Sequence, residues 1–289
     1  MLKSCKKKLS VIIISVVLIF SSSLLLYCNF YLQVETIDIY TDKLSDSFNN
    51  YRIAHISDYH NRASEMIDKQ IIDSLTSNAP DIIVVTGDLV DYLRTDVDIA
   101  LAFVEKLCKI APVYYVTGNH EATINIDNEK QIQKLIDGLT LIGVTVLRNS
   151  SVEIVNENSD SFNLYGIEDP YFYGNYTQVY QRTEKLCQEL NMSADEYNVL
   201  LAHHPETLSV YSKFNIDLVF SGHAHGGQVT FFGKAIVAPD QVYFPPYTEG
   251  LYKIADTQMV LSRGIGYSSV PIRFFSNPHL IYTEFKTNQ

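Results

Sequence analysis

Arg52-Ile53-Ala54-His55-Ile56-Ser57-Asp58-Tyr59-His60 decides the fold. An apolar alternation that ends in a carboxylate and an imidazole reads as a β-strand whose C-terminal end carries Asp58 and His60. Alternate side chains of an extended chain face the same way, so these two are expected to face one centre.

The design recurs downstream. Ile67, Ile71 and Leu75 stand at helical spacing, Asn78-Ala79-Pro80 breaks the helix, and Asp81-Ile82-Ile83-Val84-Val85-Thr86-Gly87-Asp88 is a second such strand. Ile99, Phe103, Leu107 and Ile110 mark another helix face before Val113-Tyr114-Tyr115-Val116-Thr117-Gly118-Asn119-His120-Glu121, and Ile132, Leu135, Ile136 and Leu139 a further one. Strands alternating with helices imply right-handed crossovers and a mostly parallel sheet, with ligands at the carboxyl ends of the strands. From Val144 the spacing changes to short strands around 144–147, 152–155 and 162–167, then a helix at 179–190. Further strands are expected at 198–202, 251–254, 259–261 and 280–285, in a mixed sheet packed on the first.

Upstream, no residue from Leu9 to Val34 is charged, and Lys3, Lys6, Lys7 and Lys8 precede the run. A bilayer-spanning helix needs roughly 20 apolar residues. The excess of lysine on the N-terminal side predicts a cytoplasmic N-terminus and an extracytoplasmic domain. A signal peptide has the same order of regions, but no small-x-small cleavage site follows, so a retained anchor is expected. The expected organisation is a basic N-terminus at 1–8, an anchor at 9–32, a linker at 33–50 and one domain at 51–289.

With 46% hydrophobic and 19% charged residues, the 289-residue chain has the composition of a globular protein. Its 33 acidic against 22 basic side chains, a net charge of −11, argue against a nucleic-acid partner. Cys5 and Cys28 fall in the anchor region, and Cys108 and Cys187 form no metal or redox motif, though an exported domain leaves their pairing open.

Of eight histidines, His60, His120, His203, His204, His223 and His225 fall at the ends of expected strands, beside glycine, proline or carboxylate. Ser221-Gly222-His223-Ala224-His225-Gly226-Gly227-Gln228 places two imidazoles in a tight glycine loop. Hydrolysis of a phosphate ester at neutral pH needs a nucleophile and charge compensation, and two divalent ions supply both. Imidazole, carboxylate and amide oxygen suit zinc, iron or manganese.

Asp58-x-His60, Gly87-Asp88, Gly118-Asn119-His120-Glu121, His203-x-Pro205 and Gly222-His223-x-His225, in this order, resemble the calcineurin-like metallophosphoesterases. The tail segments Ala238-Pro239-Asp240-Gln241, Tyr247-x-x-Gly250-Leu251-Tyr252, Ser262-Arg263-Gly264-Ile265-Gly266 and Pro271-Ile272-Arg273-Phe274 are similar to a membrane-associated bacterial branch of that family, which includes pyrophosphatases of lipid-linked sugar nucleotides. The resemblance implies an α/β fold of four-layer α/β/β/α form and two divalent metal ions (manganese, zinc or iron) with a bridging hydroxide. It also implies Asp58, His60 and His225 on one ion, Asn119, His203 and His223 on the other, and Asp88 between them. His120 would act on the scissile phosphate, with Glu121 orienting it, and His204 would be structural or line the entrance.

Tyr59 and Asn61 depart from the family pattern, which has an aliphatic residue and a glycine there. Arg62, Arg263 and Arg273 are candidate phosphate contacts, since guanidinium binds phosphate in a bidentate way. The tyrosine-rich stretch 171–176, with 243–247, is a candidate apolar substrate wall. The expected substrate is a phosphorylated small molecule or a lipid-linked phosphodiester or pyrophosphate, and the membrane is the expected partner of the anchor. Two rivals remain: a non-catalytic binding module, whose sequence would lack ligands, and a hydrolase using Ser57 or Ser221, neither of which sits in a nucleophile elbow.

Overall fold

The computed structural model describes residues 2–62, 64–174, 176–227, 230–231, 234–267 and 272–287; Asn175, Gln228 and Pro271 of the segments above lie outside them. The apolar run forms one helix, α1 (Leu2–Phe30), whose portion Lys8–Phe30 is long and apolar enough to cross a bilayer. Directly behind it comes β1 (Gln33–Thr41), so the expected linker at 33–50 contains an ordered strand. Its burial explains why: Ile37 and Ile39 turn inward, while Thr36, Asp38 and Tyr40 face out.

Three strand–helix units follow, β2 (Arg52–Ile56) with α2 (Glu65–Asn78), β3 (Ile82–Thr86) with α3 (Val97–Cys108), and β4 (Val113–Val116) with α4 (Asn119–Leu141). Next come β5 (Thr145–Val146), β6 (Ser150–Val155), β7 (Ser161–Gly166), α5 (Val179–Glu189), β8 (Asn198–Leu201), α6 (Leu208–Tyr211) and β9 (Leu218–Ser221). Two small pairs join β10 (Thr230–Phe231) to β11 (Lys234–Ala235) and β12 (Val237–Ala238) to β13 (Val242–Tyr243). The chain closes with β14 (Gly250–Ile254), β15 (Thr257–Leu261) and β16 (His279–Thr287). One six-stranded sheet has the order β1-β16-β2-β3-β4-β5 and the other β14-β15-β9-β8-β7-β6. Neighbours from β2 to β5 are parallel, as are β7, β8, β9 and β15.

Successive residues of the central strands enter different cores, as a two-residue period requires. Ile53, Ile82 and Val84 meet Val199, Leu201, Leu218 and Phe220 between the sheets. Ala54, Ile83 and Val85 instead meet Ile67 and Ile71 of α2 and Phe103 and Leu107 of α3, while Leu200 and Val219 meet Leu186 of α5 and Leu208 of α6. Helices, sheet, sheet and helices make four layers, the α/β/β/α form expected. Among the described cysteines, Cys28, Cys108 and Cys187 carry free thiols.

Helix α2 ends on Ala79 in the left-handed region, at φ 41° and ψ 70°, with its N–H donating to Leu75 O. A Cβ is unfavourable there, so Ala79→Gly is expected to raise stability by about 0.5–1 kcal/mol, read as a higher urea midpoint at unchanged slope.

Candidate active site

Strands β2, β3 and β4 of one sheet and β8 and β9 of the other end at a common edge, and the loops leaving them carry the chemistry. Asp58 and His60 follow β2, Asp88 follows β3, Asn119 and His120 open α4 after β4, His203 follows β8, and His223 and His225 follow β9. The first pair is not on extended backbone. Asp58, His60, Asn61, Asp88, His223 and His225 all have φ between 49° and 68°, a left-handed conformation that non-glycine residues rarely adopt. The convergence of Asp58 and His60 therefore comes from the turn, and strained backbone is gathered where the polar groups meet.

Four groups of donor atoms result among the described residues, two of them Asp58 with His60 and His225, and Asp88 with His203 and His223; the others are His60 with Asp91 and His120, and His204 with Glu206, His223 and Asp240. Asp88 Oδ2 lies 3.6 Å from His60 Nε2 and 3.3 Å from His203 Nε2, between the first two groups. Asp58 Oδ1 is 3.6 Å from His225 Nε2 and 3.9 Å from His60 Nε2. Asn119 Oδ1 stands 3.1 Å from His203 Nε2, so the amide joins the second group.

Neighbouring groups fix which nitrogen each ring offers. His203 Nδ1 is 2.7 Å from Thr86 O, a carbonyl that can only accept, so Nδ1 carries a proton and Nε2 is the nitrogen turned toward Asp88. Asp240 Oδ2 is 2.9 Å from His223 Nε2, which leaves Nδ1 as that ring's lone pair. Tyr92 N–H donates to His120 Nδ1 at 3.1 Å, which places the His120 proton on Nε2.

The electrostatics call for a cation. Burial, with the His120 ring beside it, holds His60 well below the usual imidazole range, and burial with Arg273 does the same to His225. Both are neutral, yet their Nε2 atoms face each other at 3.2 Å. Burial also opposes charge on His203, but the adjacent Asp88 carboxylate outweighs it and raises that ring to about 10. A positive charge beside Asp88 is thus strongly favoured, and buried imidazole, carboxylate and amide oxygen donors are the set that holds zinc, iron or manganese.

The loops tolerate little added bulk. A Cβ on Gly118 would run into the Asp88 carboxylate, and one on Gly222 into Ser57 Oγ and the Asp58 carboxylate. Gly222→Ala is expected to displace Asp58 and weaken metal binding about 10–100-fold, measured by titrating the stripped chain with manganese.

Three expectations about contacts need correction, those for Glu121, Arg273 and Arg263. Both Glu121 oxygens accept backbone amides, from Asp88 at 2.9 Å, Gly118 at 2.7 Å and Val90 at 3.2 Å, so Glu121 braces the Asp88 loop, and the Tyr92 amide orients His120. Burial and the nearby Asp88 raise Glu121 to about 7. Arg273 is 0% exposed and donates to Gly266 O, Arg263 O and Ser276, which removes it from any substrate. Arg263 is buried and pairs with Glu249. Arg62 donates to Ile265 O at 2.8 Å and to Asn29 O of α1, and it lines a cavity beside that helix.

Of the departures, Tyr59 stacks on Phe103 at 4.1 Å, away from the site, and Asn61 Oδ1 accepts Asp91 N–H at 2.7 Å. Within the tyrosine-rich stretch, Tyr171 donates to Asp240 Oδ2 at 2.7 Å, beside His223. Sequence reasoning missed Asp91, whose Oδ2 is 3.9 Å from His60 Nδ1, and the Tyr92 amide. Against the serine hydrolase rival, Ser57 Oγ donates to the Thr86 carbonyl at 3.1 Å and not to a base.

The sequence model of the calcineurin-like phosphoesterases matches residues 51–227, from β2 through both histidines after β9. The chain belongs to this family. As a calcineurin-like phosphoesterase it is a metal-dependent hydrolase of phosphoric esters. It is similar to YkuE of Bacillus subtilis, an uncharacterized metallophosphoesterase, at 26% identity over 81% of this chain and 77% of that one. An uncharacterized metallophosphoesterase of Helicobacter pylori is 28% identical over 86% of this chain and 63% of its own length. A transmembrane protein with metallophosphoesterase domain from Bos taurus is 29% identical over 86% of this chain and 55% of its own length.

Proposed function

We propose that this phosphoesterase uses two divalent cations, one held by Asp58, His60 and His225 and one by Asn119, His203 and His223, with Asp88 shared. The observation that carries this reading is the position of Asp88 Oδ2 between the two groups, 3.6 Å from His60 Nε2 and 3.3 Å from His203 Nε2. When bound, such a pair supplies a water-derived nucleophile at neutral pH and neutralises the phosphoryl oxygens.

The chain's own residues do the rest. Hydrolysis joins a water oxygen to phosphorus and breaks the bond from phosphorus to the leaving oxygen, which then needs a proton. His120 carries one on Nε2, held there by the Tyr92 amide on Nδ1, at 3.9 Å from Asp88 Oδ2. Asp240 and Thr86 O fix the tautomers of His223 and His203, and Glu121 keeps Asp88 in its turn. The substrates this reading favours are phosphodiesters or pyrophosphates of the cell envelope, lipid-linked ones included, met by an extracytoplasmic domain on a retained anchor. Access supports this, because α1 leads directly into β1.

The full chain in detergent, stripped by chelator, is expected to lose hydrolysis of an aryl phosphodiester and to regain it with manganese, zinc or iron at two ions per chain. Elemental analysis at one ion per chain, or turnover that survives chelation, would overturn the dinuclear reading.

A further inference from the structure

The C-terminal end of α1 is not a loose tether. Asn29 brackets Arg273, accepting its N–H at 2.9 Å and donating to its carbonyl at 3.0 Å. Asn277 donates to Tyr27 O and Tyr31 O, Gln70 binds Phe30 O and Leu32 N, and Cys28 is buried. The last turns of the helix are therefore built into the catalytic domain.

Between them lies a cavity of about 880 Å³. Leu25, Leu26 and Phe30 of α1, with Ile272, give it apolar walls, and Asn61, Arg62 and Arg94 are among its polar lining. Its helical wall runs from Ser22 to Phe30, about 12 Å along the axis at 1.5 Å per residue. If α1 spans a bilayer, that wall occupies the part of the span nearest the domain, where headgroups and the first acyl carbons of the facing leaflet lie. The apolar wall reaches the surface, since Leu26 and Ile272 are about half exposed. His60 meets the cavity through its main chain, since its side chain is fully buried.

We infer that this cavity binds a phospholipid drawn from the facing leaflet, its acyl chain along Leu25, Leu26 and Ile272 and its anionic headgroup beside Arg62. The inference rests on α1 lying in a bilayer and concerns a lipid bound beside the site. A water-soluble ester has no use for the apolar wall. The guanidinium of Arg62 spends its hydrogen bonds on carbonyls, which leave its positive charge in place, whereas Arg94 in the same lining pairs with Asp91 Oδ2 at 3.2 Å. An anionic headgroup complements Arg62, and the carboxylate of Asp96 at the same lining is turned to the amides that begin α3.

The chain contains no tryptophan, so single tryptophans report on the cavity without background. Leu26→Trp and Phe30→Trp place one on the wall; Tyr27→Trp places one at the same depth but outside the lining. Each full chain, in dodecyl maltoside micelles, would be titrated with phosphatidylglycerol brominated on one acyl chain. The wall tryptophans are expected to lose fluorescence saturably near one lipid per chain and to recover with excess unbrominated lipid. The tryptophan at 27 should follow only the lipid fraction of the micelle. Phe30→Trp changes the bulk of the wall least, so blockage by the other variant cannot hide the site. Equal quenching at all three positions, or none on the wall, would overturn the proposal. Metal-restored hydrolysis of the soluble ester by the unaltered chain is scored separately. Turnover without saturable quenching removes the lipid site alone, and quenching without turnover removes the hydrolytic reading alone.

Discussion

Replacing His120 by alanine is expected to lower kcat about 10²–10⁴-fold while metal content stays unchanged. The size follows from its task, since a positioned imidazole that gives its proton to the leaving oxygen contributes a factor of that order. The ring contributes no lone pair to the two donor groups around Asp88 in this assignment, because Nδ1 accepts the Tyr92 amide and Nε2 bears the proton. The loss should be larger for a phosphodiester with an alkyl leaving group than for one releasing nitrophenolate, which departs without protonation. Equal losses for both esters would point to charge stabilisation as the role of His120, and loss of metal would make it a ligand.

His204→Leu is the second large effect, and it concerns stability. His204 is buried, with Nδ1 2.7 Å from Glu206 Oε1 and Nε2 2.9 Å from Asp169 Oδ2. Burial opposes charge on this ring, but the carboxylates on either side outweigh it and hold His204 well above the usual imidazole range. Removing the cation leaves two buried acids facing a hydrocarbon side chain. Breaking a buried ion pair from one side costs about 3–5 kcal/mol. Denaturant unfolding of the variant against the parent chain, both metal-loaded, should show that loss with metal stoichiometry intact. His204 also stands with Glu206, His223 and Asp240 in a group that could hold an ion. A variant of parental stability that binds one ion fewer would give His204 a ligand's role.

The central strands were legible because burial on both faces leaves an uninterrupted apolar run ending in glycine or a polar residue, as in Ile82–Thr86 before Gly87-Asp88. Ligand types were legible for a related reason: histidine and aspartate at strand ends have few other uses. Direction was not. Glu121 neighbours His120 in sequence, but each residue at a helix start turns by about 100°, which sends this carboxylate back to the amides of Asp88 and Gly118. The arginines show the same limit. Residue type marks a cation, while the burial of Arg273 among carbonyls depends on a loop that sequence spacing does not describe. Strand β1 was missed because only Ile37 and Ile39 are buried and its partner, β16, comes from the far end of the chain.

That partnership also bears on biogenesis. Strand β16 lies between β1 and β2, parallel to the first and antiparallel to the second, with Ile37 opposite Thr283 and Ala54 opposite Tyr282. A nascent chain could hold its first helix in the bilayer and pair β2 with β3 and β4 well before translation ends. The strand beside the helix would still have both edges open, and the seam between anchor and domain could not close, because Arg273 and Asn277, which grip α1, immediately precede β16. Such long-range pairing is slow to form. A chain interrupted before β16 would therefore leave an unpaired strand edge exposed, a form that quality-control proteases can recognise, and only once β16 has emerged would the domain close on its own first helix.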